Sequence, residues 1–322
     1  MWNYAPYQLP WQTSTSPGTG ATRGRQSIGA ANLDDWQFSM AWDSPARAAP
    51  STPQLPLLGG VAQRGTLLAG GLRKSFGAWQ VRLGVQQQES MQTGSVRKPA
   101  ITVLYRPQAS GALAGLSLSR ASRTPGFFAA GHPYDGRAGA GAEKSQQAEL
   151  FFANADSSPW RAKLTFFQAY YRDMMDFEQG PPPSLVNRAR VYMRGVETSV
   201  SRRWRSGAQA YLHAASIDSY DPDSGFDLRY RPRQQATGGF SMPWWGPLHV
   251  HASLTWFGPR TDITGVGDEL GGSSEAGLML SWKTRATQAF ITVDNLMDRR
   301  AEDFQQGWAS GRRIRVGWQS RF

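Results

Sequence analysis

From residue 63 to its end, the chain is a succession of short period-two runs joined by connections that are alternately short and long. The clearest run is Leu248–Phe257, where Leu248, Val250, Ala252, Leu254 and Trp256 alternate with His249, His251, Ser253 and Thr255. In the last run Ile314, Val316, Trp318 and Phe322 share a face on which Ser320 is the one polar member. Arg313, Arg315, Gly317, Gln319 and Arg321 share the other. Period two is the signature of a strand with two chemically different faces. Further runs begin at Gly65, Ala78, Lys98, Ala112, Gln146, Trp160, Val191, Ala208, Tyr230, Ala276 and Ala289. The turns near Gly77, Gly111, Asp156–Pro159, Arg205–Gly207, Pro243–Pro247 and Thr284 are short. The connections across Gln88–Arg97, Thr124–Glu143, Asp173–Arg188, Asp218–Arg229, Gly258–Gly272 and Asn295–Ser310 are longer.

A soluble sandwich has no reason to alternate its connections in this way. A transmembrane β-barrel does, with short turns on one side of the bilayer and long loops on the other. The expected fold is therefore all-β: part of an antiparallel transmembrane barrel of about fourteen strands, with short periplasmic turns and long outer loops. No apolar run reaches the roughly 18 residues that a membrane-crossing helix requires. A mean hydropathy of -0.49 is compatible with a barrel, because lumen and loop residues dilute the lipid-facing half. Thirteen Trp suit interfacial belts, and a chain ending on an aromatic suits a strand that finishes at an interface.

Residues 1–62 form an irregular segment rich in Pro, Ser and Gly with one candidate strand at Asp35–Trp42, and residues 63–322 form the barrel portion. Met1–Pro10 has neither the basic start nor the apolar stretch of an export signal. The expectation is that the signal was removed or that the chain is part of a longer protein. The absence of cysteine excludes disulfide frameworks and thiol-based metal or redox sites. The net charge of +11 comes almost entirely from 30 Arg against 5 Lys. These arginines are dispersed, often at alternate strand positions, rather than gathered with stacking aromatics, so nucleic acid is not an expected partner. Lumen and loop arginines facing anionic lipopolysaccharide are.

Several motifs carry a family resemblance. VDNLMDRRAED followed by SGRRIRVGWQSRF resembles the closing hairpin of TonB-dependent outer-membrane receptors. Asn295, Leu296, Asp298, Gly311, Arg312 and Phe322 fall where that pattern wants them, and Met297 replaces the usual aromatic. Arg123, Thr124 and Pro125 resemble the family's step into a long outer loop. Glu143, Lys144, Ser145 and Glu149 resemble the run opening the following strand, with Ala142 where Pro is usual. Gly195-Val196-Glu197 resembles its Gly-x-Glu strand. The likeness spans roughly Gly65 to Phe322 and is nearest to the vitamin B12 and siderophore-receptor branch.

That resemblance implies a barrel of about twenty-two strands, located in the bacterial cell outer membrane and importing a ferric siderophore or cobalamin. It implies insertion by the barrel assembly machinery, with Trp318 and Phe322 in the assembly signal. Energy comes from the TonB complex, which acts through a plug and coupling box preceding the barrel. Nothing before Gly65 resembles either, so the chain is expected to be a C-terminal portion that does not by itself perform energy-coupled uptake. A complete, smaller passive channel of about fourteen strands is the second reading, and a soluble all-β module the third.

No catalytic constellation, phosphate loop or dinucleotide fingerprint is present, so no enzyme activity and no cofactor are expected. His249 and His251 share a strand face but lack a third ligand nearby in sequence, and read as lumen-facing polar residues. Asp218, Asp221 and Asp223 could offer oxygens to calcium but read as a solvated loop, as do Asp173 and Asp176. No metal site is expected. The ligand-binding expectation rests on the outer loops, where Phe127, Phe128, His132, Tyr134 and Arg137 cluster on one and Trp308 lies on the last. Aromatics with a cation suit a bulky chelate or corrinoid.

Overall fold

The computed structural model describes residues 27–33, 36–43, 46–48, 62–90, 94–107, 111–123, 142–154, 158–178, 184–229, 231–261, 269–284, 287–304 and 307–320. Every regular element among them is a strand. In chain order they are β1 (Ser27–Leu33), β2 (Trp36–Asp43), β3 (Ala46–Ala48), β4 (Ala62–Phe76), β5 (Trp79–Ser90), β6 (Gly94–Tyr105) and β7 (Ala112–Arg123). Then come β8 (Glu143–Asn154), β9 (Trp160–Glu178), β10 (Ser184–Arg203), β11 (Gln209–Asp221), β12 (Phe226–Asp227), β13 (Gln234–Trp245) and β14 (Leu248–Phe257). The last are β15 (Arg260–Thr261), β16 (Glu269–Leu270), β17 (Ser273–Lys283), β18 (Thr287–Asp294), β19 (Glu302–Phe304), β20 (Gly307–Trp308) and β21 (Arg313–Ser320).

Seventeen of these strands belong to one antiparallel sheet. Two are short additions, β3 on β4 and β12 on β11. The remaining fifteen form a meander in which each long strand pairs with the next, from β1–β2 to β18–β21. The sheet thus takes in residues 27–48 as well as the region from residue 63. Among the described residues β1 and β21 are not paired with each other. At one end the connections are tight. Phe76 turns to Trp79 through Gly77 (φ +58), and Trp245 to Leu248 through Gly246 (φ +54), backbone angles that glycine adopts without strain. Long connections are confined to the other end, where β9 and β10 extend to 19 and 20 residues.

Register separates the two faces. Val81, Val103, Leu116, Leu150, Phe166 and Val196 stand directly opposite one another across six consecutive strands. On later strands Val250, Leu280, Ile291 and Val316 do the same. Most of these are well exposed, and Leu254 on the same face is 53% exposed. A sheet with its large apolar residues outward is stable only where hydrocarbon replaces water. The opposite face carries Thr102, Ser117, Glu149, Thr165 and Glu197. Glu197 therefore lies on the lumen side, as charge must in a lipid-bound sheet.

Two aromatic levels bound the apolar band. Near the tight turns lie Phe76, Trp79, Tyr105, Trp160, Trp245, Trp282 and Trp318, all exposed. Toward the long loops Tyr170, Tyr192 and Tyr220 form one register row. Trp160 and Tyr170 are ten residues apart on β9. At about 3.3 Å per residue and a tilt of about 40° this separation is about 25 Å across the membrane, the height of a barrel's apolar band.

Two expectations are corrected. Gln88–Arg97, read as a longer connection, is mostly paired strand, with residues 88–90 of β5 opposite residues 94–96 of β6. Asp173–Arg188, read as a loop, is mostly a hairpin arm: residues 174–178 of β9 pair with residues 184–188 of β10. Asp173 adopts φ +54 and its carbonyl accepts from Asn187 Nδ2 at 2.8 Å. This kink reverses the alternation, so the sequence loses its period there although pairing continues.

Candidate functional site

The inner face is hydrophilic by sequence and hydrogen-bonded by register. Thr102 and Ser117, opposite each other, share a hydrogen bond of 3.1 Å. Lys98 Nζ donates to Gln88 at 2.7 Å, and Gln147 Nε2 to Glu149 at 2.5 Å. Lower on the wall Tyr211 stacks with His251 at 6.3 Å between ring centroids and lies 5.5 Å from His213. His251 is thus engaged with an aromatic ring. Among the described residues no three His, Cys, Asp or Glu side chains come together as a metal would need.

A connected set of ion pairs and hydrogen bonds lies at the outer end of β9–β11. Beyond the kink at Asp173, Met174 and Arg188 turn to the inner face. Arg188 is inserted between Asp176, at 2.5 Å, and Asp221, at 2.9 Å, and all three side chains are largely buried. The Asp221 carboxylate also accepts the backbone N–H of Asp223 at 2.9 Å and of Ser224 at 3.4 Å. Burial opposes a charge on Asp221, but those donors and Arg188 outweigh it and hold its carboxyl below the ordinary range. Burial likewise opposes the Arg188 charge, and Asp176 and Asp221 outweigh it, raising its pKa.

The turn made by Asp221 feeds the following segment back onto the wall. Leu228, 2% exposed, packs with Ala169, Met174, Val191 and Met193, against Phe167 and Tyr171. This is the hydrophobic core of the described structure, and it lies on the lumen side. The three aspartates considered for calcium are each neutralised by an arginine of β10. Asp218 pairs with Arg194 at 2.9 Å, Asp221 with Arg188, and Asp223 with Arg190 at 2.5 Å. Sequence reading missed this ladder; its one signal was three Arg on one strand and three Asp at and just beyond the end of the next.

The last outer loop is closed by its motif residues. Asn295 is buried at φ +50. Its amide donates to the carbonyls of Arg299 (2.8 Å) and Ser310 (3.2 Å), and its carbonyl accepts from Arg299 N–H at 3.0 Å. Asp298 accepts the N–H of Arg312 at 2.7 Å, and Gly311 leaves room for it. Arg260 reaches the carbonyl of Glu302 at 2.5 Å, joining this loop to the one after β14. Of the residues expected to bind ligand, Phe127, Phe128, His132, Tyr134 and Arg137 lie outside the described residues. Trp308 is on β20, in register with Glu302. Trp318 faces outward on β21, and Phe322 lies outside the described residues.

Comparison with known proteins agrees with this geometry. Residues 3–296 match the family described as TonB dependent receptor-like, beta-barrel. No curated protein is similar enough to count as a relative. Among solved structures, the FrpB iron transporter from Neisseria meningitidis superposes with a TM-score of 0.66 at 14% identity, covering 92% of this chain and 54% of that one. A ferric enterobactin receptor from Pseudomonas aeruginosa gives 0.66 at 16%, with 89% and 51% covered. The copper transporter OprC gives 0.68 at 14%, with 92% and 55% covered. This chain spans about half the length of each.

Proposed function

Because the chain belongs to the TonB-dependent receptor β-barrel family, a family of bacterial outer-membrane transporters rather than enzymes, we propose that it forms barrel wall for energy-coupled import of a ferric siderophore. The observation that carries this reading is the two-faced sheet: apolar side chains outward between two aromatic levels, and a charged, hydrogen-bonded wall inward. The solved relatives, an iron transporter, a ferric enterobactin receptor and a copper transporter, support a metal or metal chelate as cargo. Cobalamin has no such support among them. The aromatics and cation of the β7–β8 connection (Phe127, Phe128, His132, Tyr134 and Arg137) and Trp308 make first contact with the chelate. The TonB complex acts through the family's plug and coupling box. The barrel assembly machinery reads the last strand, with Trp318 and Phe322.

The test is growth on ferric siderophores as sole iron source, in cells lacking their own receptors and expressing the gene in its natural reading frame. Uptake should saturate, require the TonB complex and fall when Arg137 and Phe128 are replaced by Ala. Uptake that is linear in concentration and indifferent to the TonB complex would identify a passive channel and overturn the proposal.

A further inference from the structure

One side of the lumen is cationic without an anion of its own. The inward positions of β4, β5 and β6 hold Arg73, Arg82 and Lys98 and no carboxylate, and Arg106 continues the inward series just past β6. Arg73 stands directly opposite Arg82, which stands opposite Thr102. Like charges placed directly opposite one another destabilise a ladder, and Arg106 adds a further charge that repels Arg82. The Arg82 guanidinium is held in place rather than neutralised. Its Nε donates to the Gln80 side-chain carbonyl at 2.7 Å, and the Gln80 amide donates to Ser75 at 2.9 Å. Among the described residues no carboxylate pairs with Arg82, so the terminal nitrogens of this oriented fork are available to an anion in the lumen.

The cations descend at even intervals. On β6, Lys98, the Arg82 level at Thr102, and Arg106 are each four residues apart, about 10 Å along the membrane normal at ordinary strand rise and tilt. Between the upper two the wall is bare, because Gly71 and Gly84 oppose each other with Ala100 beside them. Glu149 and Glu197 look into the same lumen from β8 and β10. An anion is therefore turned away from that wall and toward this one. Evenly spaced cations with a recess between them suit an anion that travels along the wall.

We propose that Arg73, Arg82 and Arg106 form an anion-binding station on the lumen wall near the tight-turn end, and that the cargo it receives is a metal chelate of net negative charge, held through carboxylate or catecholate oxygens. Arg82 offers two donors to the chelate, Arg73 supplies a second charge from the next strand, and Lys98 stands one step above. This inference rests on the import reading and adds a charge requirement to it: an anionic chelate is passed along β4–β6 and a neutral one is not.

The test separates this wall from the outer loops. In a Phe128→Ala/Arg137→Ala background, purified protein in detergent is dialysed to equilibrium against radioiron-labelled ferric tris-catecholate, a trianion, or against a neutral ferric trihydroxamate of similar size. The trianion should bind and the neutral chelate should not. Arg73→Gln/Arg82→Gln should weaken binding about tenfold. Gln80→Glu keeps the shape of the side chain and sets a carboxylate against Arg82, so it should weaken binding too while unfolding at or above the wild-type temperature. In cells expressing the gene in its natural reading frame with intact outer loops, Arg73→Gln/Arg82→Gln should lower the maximal rate of tris-catecholate uptake and leave its half-saturation concentration unchanged. Equal binding of the two chelates, or unchanged affinity in both variants, would overturn the proposal. A double variant that unfolds at lower temperature yet binds as wild type would assign the arginines to a carboxylate of the family's plug and overturn it as well. Absence of saturable, TonB-dependent uptake in the wild type is the separate failure of the import reading, and the dialysis reads the wall station without it.

Discussion

The Phe151 ring fills the space that a side chain at Gly115 would occupy, directly across the β7–β8 ladder. The same relation holds between Phe167 and Gly195, Tyr211 and Gly239, and Phe290 and Gly317, each an opposed pair. All four lie on the inner face. A glycine in a strand interior loses packing and costs entropy, and here an aromatic ring covers the gap and holds the register. Gly115→Val should therefore destabilise by about 1–3 kcal/mol through overpacking. Adding Phe151→Ala should recover part of that loss, since the ring would no longer compete for the space. Urea unfolding of refolded protein in detergent measures both. Strictly additive losses would show that the ring and the glycine are not coupled.

The outward face is tested by a neighbouring pair on β14. Leu254 points to lipid and Ser253 to the lumen, where its hydroxyl faces Gly277. Leu254→Arg should cost about 2–4 kcal/mol near the bilayer midplane, and Ser253→Arg much less. The reading is checked by folding yield and stability in lipid bilayers. Similar penalties for the two would mean the faces are assigned wrongly.

These two residues also show where the sequence was readable. Leu248–Phe257 alternates without interruption because one side meets hydrocarbon and the other water, and the strand has the bounds its alternation predicts. The alternation also put Val196 outward and Glu197 inward. Above the membrane both sides are wet, and the pattern fades. Residues 174–178 and 184–188 pair there without a legible period, and the positive φ at Asp173 inverts the faces. Leu228 lies in a polar stretch and is buried only because Val191 and Met193 meet it from another strand. The Arg–Asp ladder depends on register, which composition does not carry. The motif residues Asn295, Asp298 and Gly311 were legible as a likeness, and the structure supplies their work as a loop closure.

That closure makes a graded prediction. Asn295 combines a left-handed backbone with three side-chain hydrogen bonds in a buried position. Asp298 accepts one from Arg312 at the surface. Asn295→Ala should cost about 2–3 kcal/mol and Asp298→Ala about 1 kcal/mol. Hydrogen exchange at Arg299 and Arg312 should accelerate in the first variant at both sites and in the second only at Arg312. The reverse order of effects would contradict the assigned roles.

The proposed assembly signal makes a prediction about insertion rather than packing. Trp318 is 75% exposed on the outward face near the tight-turn level, and among the described residues β21 is paired along one edge only, with β18. Deleting Phe322, or appending a charged tail beyond it, should reduce the amount of protein in the outer membrane of expressing cells while leaving refolding into detergent unchanged. Wild-type surface levels for both variants would remove the last strand from the assembly signal.

The outermost prediction concerns pH. Arg188 joins Asp176 to Asp221, and Asp221 starts the turn that brings Leu228 onto the wall. Its carboxyl titrates below the ordinary aspartate value of 3.8 in the folded state. A carboxylate with a depressed pKa contributes stability that is fully present above its unfolded pKa and is lost as pH falls through the folded one. Arg188, whose pKa is raised, stays charged throughout. The segment from Asp221 to Leu228 should thus remain docked from neutral pH down to about 4 and open below it, exposing Leu228. Hydrogen exchange of residues 222–229 after a brief acid pulse reports the opening. Asp221→Asn should open the segment at neutral pH and flatten its pH response. Leu228→Ala should loosen it at every pH, since apolar burial does not titrate, with a loss of about 2–5 kcal/mol. Protection in the wild type that is unchanged between pH 7 and pH 3 would show that apolar packing alone holds the segment and that the buried ion triad does not.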